Sequence, residues 1–174
     1  MYEILDLADV DLPAALGEFS TCIQQWCPTM LEESFLVWKT DLLQQSTRGG
    51  DPKNALLGLC LWLVTRRTCH HQDHVTRSEL YRAMKQIIGL FQSGPDVGLE
   101  VIQIGMLVAV YEVCHGLQAQ AFQTSASSVA LLRMLELDAK TRSPNMMESI
   151  DCLKASMLML DRCVDPDNLS ALNI

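Results

Sequence analysis

Positive charge is scarce in this sequence. Thirteen Lys and Arg stand against 21 Asp and Glu, a formal net charge of −8, and the cations are scattered along the chain. A surface of that sign repels a phosphate backbone, so free-standing nucleic-acid binding is not expected. Glycine (9) and proline (6) are also few and fall mostly between apolar stretches, which disfavours a many-stranded β fold with its frequent turns. The seven cysteines, at 22, 27, 60, 69, 114, 152 and 163, are odd in number and show no CxxC spacing. They read as reduced thiols of an intracellular protein, cytoplasmic or nuclear, with Cys60 and Cys114 acting as small hydrophobes inside apolar runs. The opening MYEILDLADVD lacks the basic and apolar regions of a signal peptide. The most apolar stretch, Val97 to His115, is interrupted by Glu100, Gln103 and Glu112, so no membrane span is expected. A glycine-rich phosphate loop, a GxSxG elbow, an HExxH motif and a dinucleotide fingerprint are all missing. No cofactor is expected, and no motif establishes an enzyme.

What the chain does have is helical patterning. Its 174 residues, 49% of them hydrophobic, suffice for one domain over 1–174 that buries roughly 70% of its unfolded surface. Asp11 and Pro13 open a helix carrying Leu12, Leu16, Phe19, Ile23 and Trp26 on one face, and Pro28 stops it. Leu31, Phe35, Trp38 and Leu42 mark a second helix. After Asp51-Pro52 the run NALLGLCLWLV is apolar on every side, the mark of a central helix wrapped by others. Thr76 and Glu79 form a capping-box pattern before the stripe Leu80, Met84, Ile87, Ile88, Phe91. A second, nearly all-apolar helix opens at Asp96 and closes at His115-Gly116, where glycine suits a left-handed cap. A helix from about Gln118 to Leu137 is expected to turn Phe122, Ala126, Val129 and Leu132 inward. The last helix lines up Met146, Ile150, Leu153, Met157, Leu160 and Val164. The expected fold is all-α, six to eight helices around the two apolar ones, with Leu57, Leu61, Val64, Ile104, Leu107 and Val108 buried.

Three groups of side chains invite a chemical reading. Cys69, His70, His71, Asp73 and His74 resemble a ligand set, but the following cap makes a polar interhelical loop the simpler reading, and no metal is expected. Tyr111, Glu112 and His115 stand at the polar end of an apolar helix, with Tyr111 and His115 on one face at i, i+4. They could orient a ligand carbonyl or move a proton; alternatively His115 serves the orphan carbonyls of the helix end. Asp161 and Arg162 close a Met-rich helix, where an ion pair and a ligand contact are the two readings. Together Tyr111, His115, Asp161 and Arg162 are the candidate ligand-binding residues, in a pocket placed between the two apolar helices and the Met-rich one.

CPTMLEESFL, the helix ALLGLCLWLV, the segment ELYRAMKQIIGLFQ, the stretch from GLEVIQIGMLVAVYEVCHG to ASSVALL, and Leu160-Asp161-Arg162 occur in a telling order. That order, over Cys27 to Arg162, resembles the fungal-specific transcription factor domain, the helical region that follows the zinc cluster in fungal regulators. Leu80, Tyr81, Leu99, Gln103, Leu107, Tyr111, His115, Gly116, Ala121 and Phe122 occupy its landmark places. Departures are present: Leu131-Leu132 replaces an Arg-Met pair, Glu136 replaces a glycine, and the Arg-Arg-x-x-Trp-Trp approach to Leu-Asp-Arg is absent. The six-cysteine zinc cluster is absent too, and the family's domain is about twice this length.

The resemblance implies a regulatory module that binds a protein partner or a small apolar molecule and makes no DNA contact of its own. A cofactor-free cyclase or isomerase of fungal secondary metabolism, using the helical core as an apolar chamber, is the alternative. A dimerisation scaffold is the third reading. Because the family's later helices would cover part of this core, a homodimer is expected to cover it instead.

Overall fold

The structure, a computed structural model, describes residues 11–25, 27–45, 52–65, 74–94, 97–139 and 144–164. Asp11 caps the first helix, its Oδ1 accepting the Ala14 N–H at 3.1 Å, with proline in the first turn as the sequence suggests. This helix, α1 (Leu12–Glu18), widens into a π-helical turn, Phe19–Ile23. There the Gln24 N–H donates to the Phe19 carbonyl five residues back, at 2.9 Å. Leu16, Phe19 and Ile23 all remain buried across the change of pitch. The chain continues through α2 (Glu32–Gln45), α3 (Pro52–Thr65), α4 (His74–Gln92), α5 (Leu99–Cys114), α6 (Gln118–Ala139) and α7 (Pro144–Val164). All regular structure among the described residues is helical, and the seven α-helices pack together as an all-α bundle.

The two apolar helices form its centre. α5 packs against α3, α4, α6 and α7, and α3 also meets α1, its π turn, α2 and α4. Leu57, Leu61, Ile104, Leu107 and Val108 are at most 1% exposed, as expected, whereas Val64, at the end of α3, is only partly buried. Each such side chain contributes up to about 1.5–3 kcal/mol by leaving water. Cys60 is buried as a small hydrophobe, but Cys114 is not: it is the last residue of α5 and is exposed. The apolar wrap of α5 ends at Glu112, two residues before it.

α6 corrects a second expectation. Phe122 is 62% exposed and Ala126 is exposed; the face that meets α5 carries Ala121, Thr124, Ser128 and Leu132. The small side chains of Ala121, Thr124 and Ser128 allow close approach. A Cβ on Gly105 of α5 would run into Ser128 Oγ. Thr124 and Ser128 donate to their own helix carbonyls, of Gln120 and Thr124, both at 2.9 Å, so their O–H donors are satisfied within α6.

Gly116 closes α5 at φ +70°, with its N–H on the Val113 carbonyl at 3.1 Å and the Leu117 N–H on the Glu112 carbonyl at 2.8 Å. Both bonds belong to a Schellman turn, which lets α6 begin two residues later and fold back on α5. On α7, Ile150, Leu153, Met157 and Leu160 are buried along the expected stripe, joined by Ser156. The segment after α1 is fastened from two sides. Ser156 Oγ and Cys152 Sγ donate to the Pro28 carbonyl at 2.6 and 3.0 Å, and Gln103 Nε2 donates to the Thr29 carbonyl at 3.1 Å.

Candidate functional site

One polar cluster interrupts the apolar centre, where α4, α5 and α6 converge. α4 presents Tyr81 and Lys85 one turn apart, α5 supplies Tyr111 and Glu112, and α6 supplies Thr124. The Glu112 carboxylate is fully buried, and its Oε1 accepts both the Tyr81 hydroxyl at 2.5 Å and Lys85 Nζ at 3.0 Å. Lys85 also donates to Thr124 Oγ1 at 2.5 Å and keeps about a third of its side chain exposed (33%). Burial, then the hydrogen bond to the carboxylate, pushes the Tyr81 phenol well above its ordinary value. Tyr81 is therefore held as a protonated donor. Beside it the rings stack in a row, Tyr81 on Tyr111 at 5.3 Å and Tyr111 on His115 at 3.9 Å. His115 Nδ1 lies 2.8 Å from the Tyr111 carbonyl, which serves the helix end. Glu112 Oε2 and His115 Nε2 are buried and have no hydrogen-bond partner among the described residues. The cluster joins three helices through one carboxylate, whose charge is balanced by Lys85.

A second feature lies on the outside. α6 and α7 flank a groove of about 610 Å³ with apolar walls of Phe122, Ala126, Val129, Leu132, Met157 and Leu158. Arg133 and Glu136 from one helix and Lys154 and Asp161 from the other set its charges. Lys154 Nζ donates to Glu136 at 2.9 Å and to Asp151 at 3.3 Å, and the first of these bonds is the main cause holding its ammonium above the ordinary lysine value.

The candidate residues from the sequence separate into these two places. Tyr111 and His115 come together as a stacked pair beside the buried cluster. Asp161 lines the α6/α7 groove, while Arg162 is exposed next to it in the chain and does not line it. Neither Tyr111 nor His115 lines that groove. A pocket is expected between the two apolar helices and α7; there α3 packs directly on α5, and the groove opens between α6 and α7. Cys69, His70, His71 and Asp73 lie outside the described residues, and His74 is the first residue of α4. Among the described residues no group of three or more His, Cys, Asp or Glu is placed to hold a metal. No helix among them is long and apolar enough to cross a membrane.

Lys85 and Thr124 are the members of the cluster that sequence reasoning missed. A signal existed: Tyr81 and Lys85 sit at i, i+4 beside an apolar stripe, and Glu112 is a carboxylate near the end of the most apolar helix. Compared with protein-family models, curated proteins and solved structures, the chain finds no match. What can be said of its role therefore comes from the cluster, the groove and the order of its motifs.

Proposed function

We propose that this chain is an intracellular regulatory module, a shortened relative of the fungal-specific transcription factor domain, that works by binding and makes no DNA contact of its own. The observation that carries the reading is the α6/α7 groove, an apolar surface with charged residues at its edges that opens outward on a filled helical core. Support for the resemblance comes from where its landmarks fall. Tyr81, Tyr111 and His115, far apart in sequence, form one stack, and Gln103 reaches the backbone of the CPTMLEESFL segment at Thr29. The module acts as a homodimer, and this groove is the surface on which it binds. The cyclase or isomerase alternative needs an open chamber beside Tyr111 and His115, and those rings instead pack against each other.

A reporter assay tests this. Fused to a heterologous DNA-binding domain, the chain should change reporter expression several-fold, and Leu158→Glu, in the groove wall and 67% exposed, should abolish the effect. The unfused chain should leave duplex DNA unshifted at physiological salt. An unchanged reporter refutes the proposal.

A further inference from the structure

We infer that the α6/α7 groove is the face on which two copies of this chain pair about a two-fold axis. The inference rests on reading this groove as the module's binding surface, and it names the occupant. Five of the large apolar side chains exposed among the described residues, Phe122, Met134, Leu137, Leu158 and Met159, belong to α6 and α7; Leu36, Val37 and Leu90 lie elsewhere. Phe122 and Leu158 line the groove itself, and exposed apolar side chains gathered on one face mark an interaction surface.

The charges decide what fits it. Lys154 is engaged with Glu136 and Asp151. Arg133 and Asp161 also line the groove, are exposed, and form no ion pair among the described residues. One unpaired cation and one unpaired anion leave the groove neutral, so it favours neither a basic nor an acidic partner. It is complementary to itself.

Helix geometry supplies the register. α7 begins five residues after α6 ends and packs against it, so the two helices run back along one another, and the Lys154–Glu136 bond marks one level at which they lie side by side. From that level Asp161 is two turns further along α7, about 10 Å at 1.5 Å per residue, and Arg133 is nearly one turn back along α6, about 4.5 Å in the same direction. The two charges thus sit on opposite walls, offset by about 6 Å along the groove. A two-fold axis through their midpoint brings Arg133 of each copy onto the partner's Asp161, making two equivalent pairs. Leu158 lies close to that axis and packs against its own counterpart.

Sedimentation equilibrium on the full chain tests the arrangement. The wild-type chain should be a dimer at tens of micromolar. Arg133→Asp and Asp161→Arg should each weaken association at least tenfold, because each puts like charges together at both sites, while circular dichroism at 222 nm stays unchanged. Mixing the two variants should restore association, since the mixed dimer has opposite charges at both sites. A monomeric wild type, single variants that associate like the wild type, or a mixture no better than either variant alone would overturn the inference. A monomer that still alters the reporter would remove the dimer and leave the regulatory reading standing; a dimer with a silent reporter would do the reverse.

Discussion

Replacing Lys85 by methionine keeps most of the aliphatic stem and deletes the charge that faces Glu112. In the wild type that carboxylate is 0% exposed and accepts from Lys85 at 3.0 Å and Tyr81 at 2.5 Å. Without the cation it is a buried anion served by a single hydroxyl. Removing one partner of a buried pair costs about 3–5 kcal/mol, and the partial exposure of Lys85 places this case near about 3. Glu112→Gln is the gentler change. The amide oxygen can still accept from Tyr81, and Lys85 can turn its ammonium to water, so the loss is about 1–2 kcal/mol. The double variant has neither charge and should cost little more than Glu112→Gln, which leaves a coupling of about 2 kcal/mol between the two positions. Urea unfolding followed at 222 nm measures all four corners of the cycle. If Glu112→Gln is as damaging as Lys85→Met, or if the two losses simply add, the buried carboxylate is not the charge that organises the cluster.

Burial pushes the Cys27 thiol up to about 12 from its ordinary 9.0. The folded value lies above the unfolded one, so the stability it contributes is whole below pH 9 and is lost progressively between 9 and 12, by up to about 1.4 kcal/mol per pH unit. Cys27→Ala should flatten the decline of the urea midpoint from pH 9 to 10.5, and parallel declines would contradict this. Gly105→Leu should cost about 1–3 kcal/mol by forcing α6 away from α5 at Ser128, with Gly105→Ala milder because alanine favours the helix; a thermal melt of each decides it. His115→Ala removes the ring that stacks on Tyr111 and serves the end of α5, so it should lower the melting temperature and leave dimer affinity unchanged, a split that sedimentation on the folded variant can read.

Helix positions were legible in the sequence wherever a cap or a strong apolar run marked them. Asp11 with Pro13 and His115-Gly116 delimit helices as read, and α3 and α5 declare their burial by composition. On α6 Leu132 and Val129 turn toward the core as read, but Phe122 and Ala126 do not, because the rest of the inner face is built from Ala121, Thr124 and Ser128, small or polar residues that hydropathy does not weight. The π turn at Phe19–Ile23 left no separate mark, since both residues also fit an ordinary apolar face. The stacked pair Tyr111 and His115 was visible as an i, i+4 match on one helix. Lys85 and Thr124 were not, because Lys85 meets Glu112 from 27 residues away and Thr124 from 39, and only packing joins them.

α6 carries two contact surfaces on one helix. Ala121, Thr124 and Ser128 face the core, and Phe122, Ala126 and Arg133 face the groove, with Val129 and Leu132 shared between them. Substitutions at 122, 126 and 133 can accumulate without disturbing the fit to Gly105. Drift at those positions would alter what the groove accepts while the fold persists, so sister lineages of this gene could diverge in partner choice long before they diverge in shape.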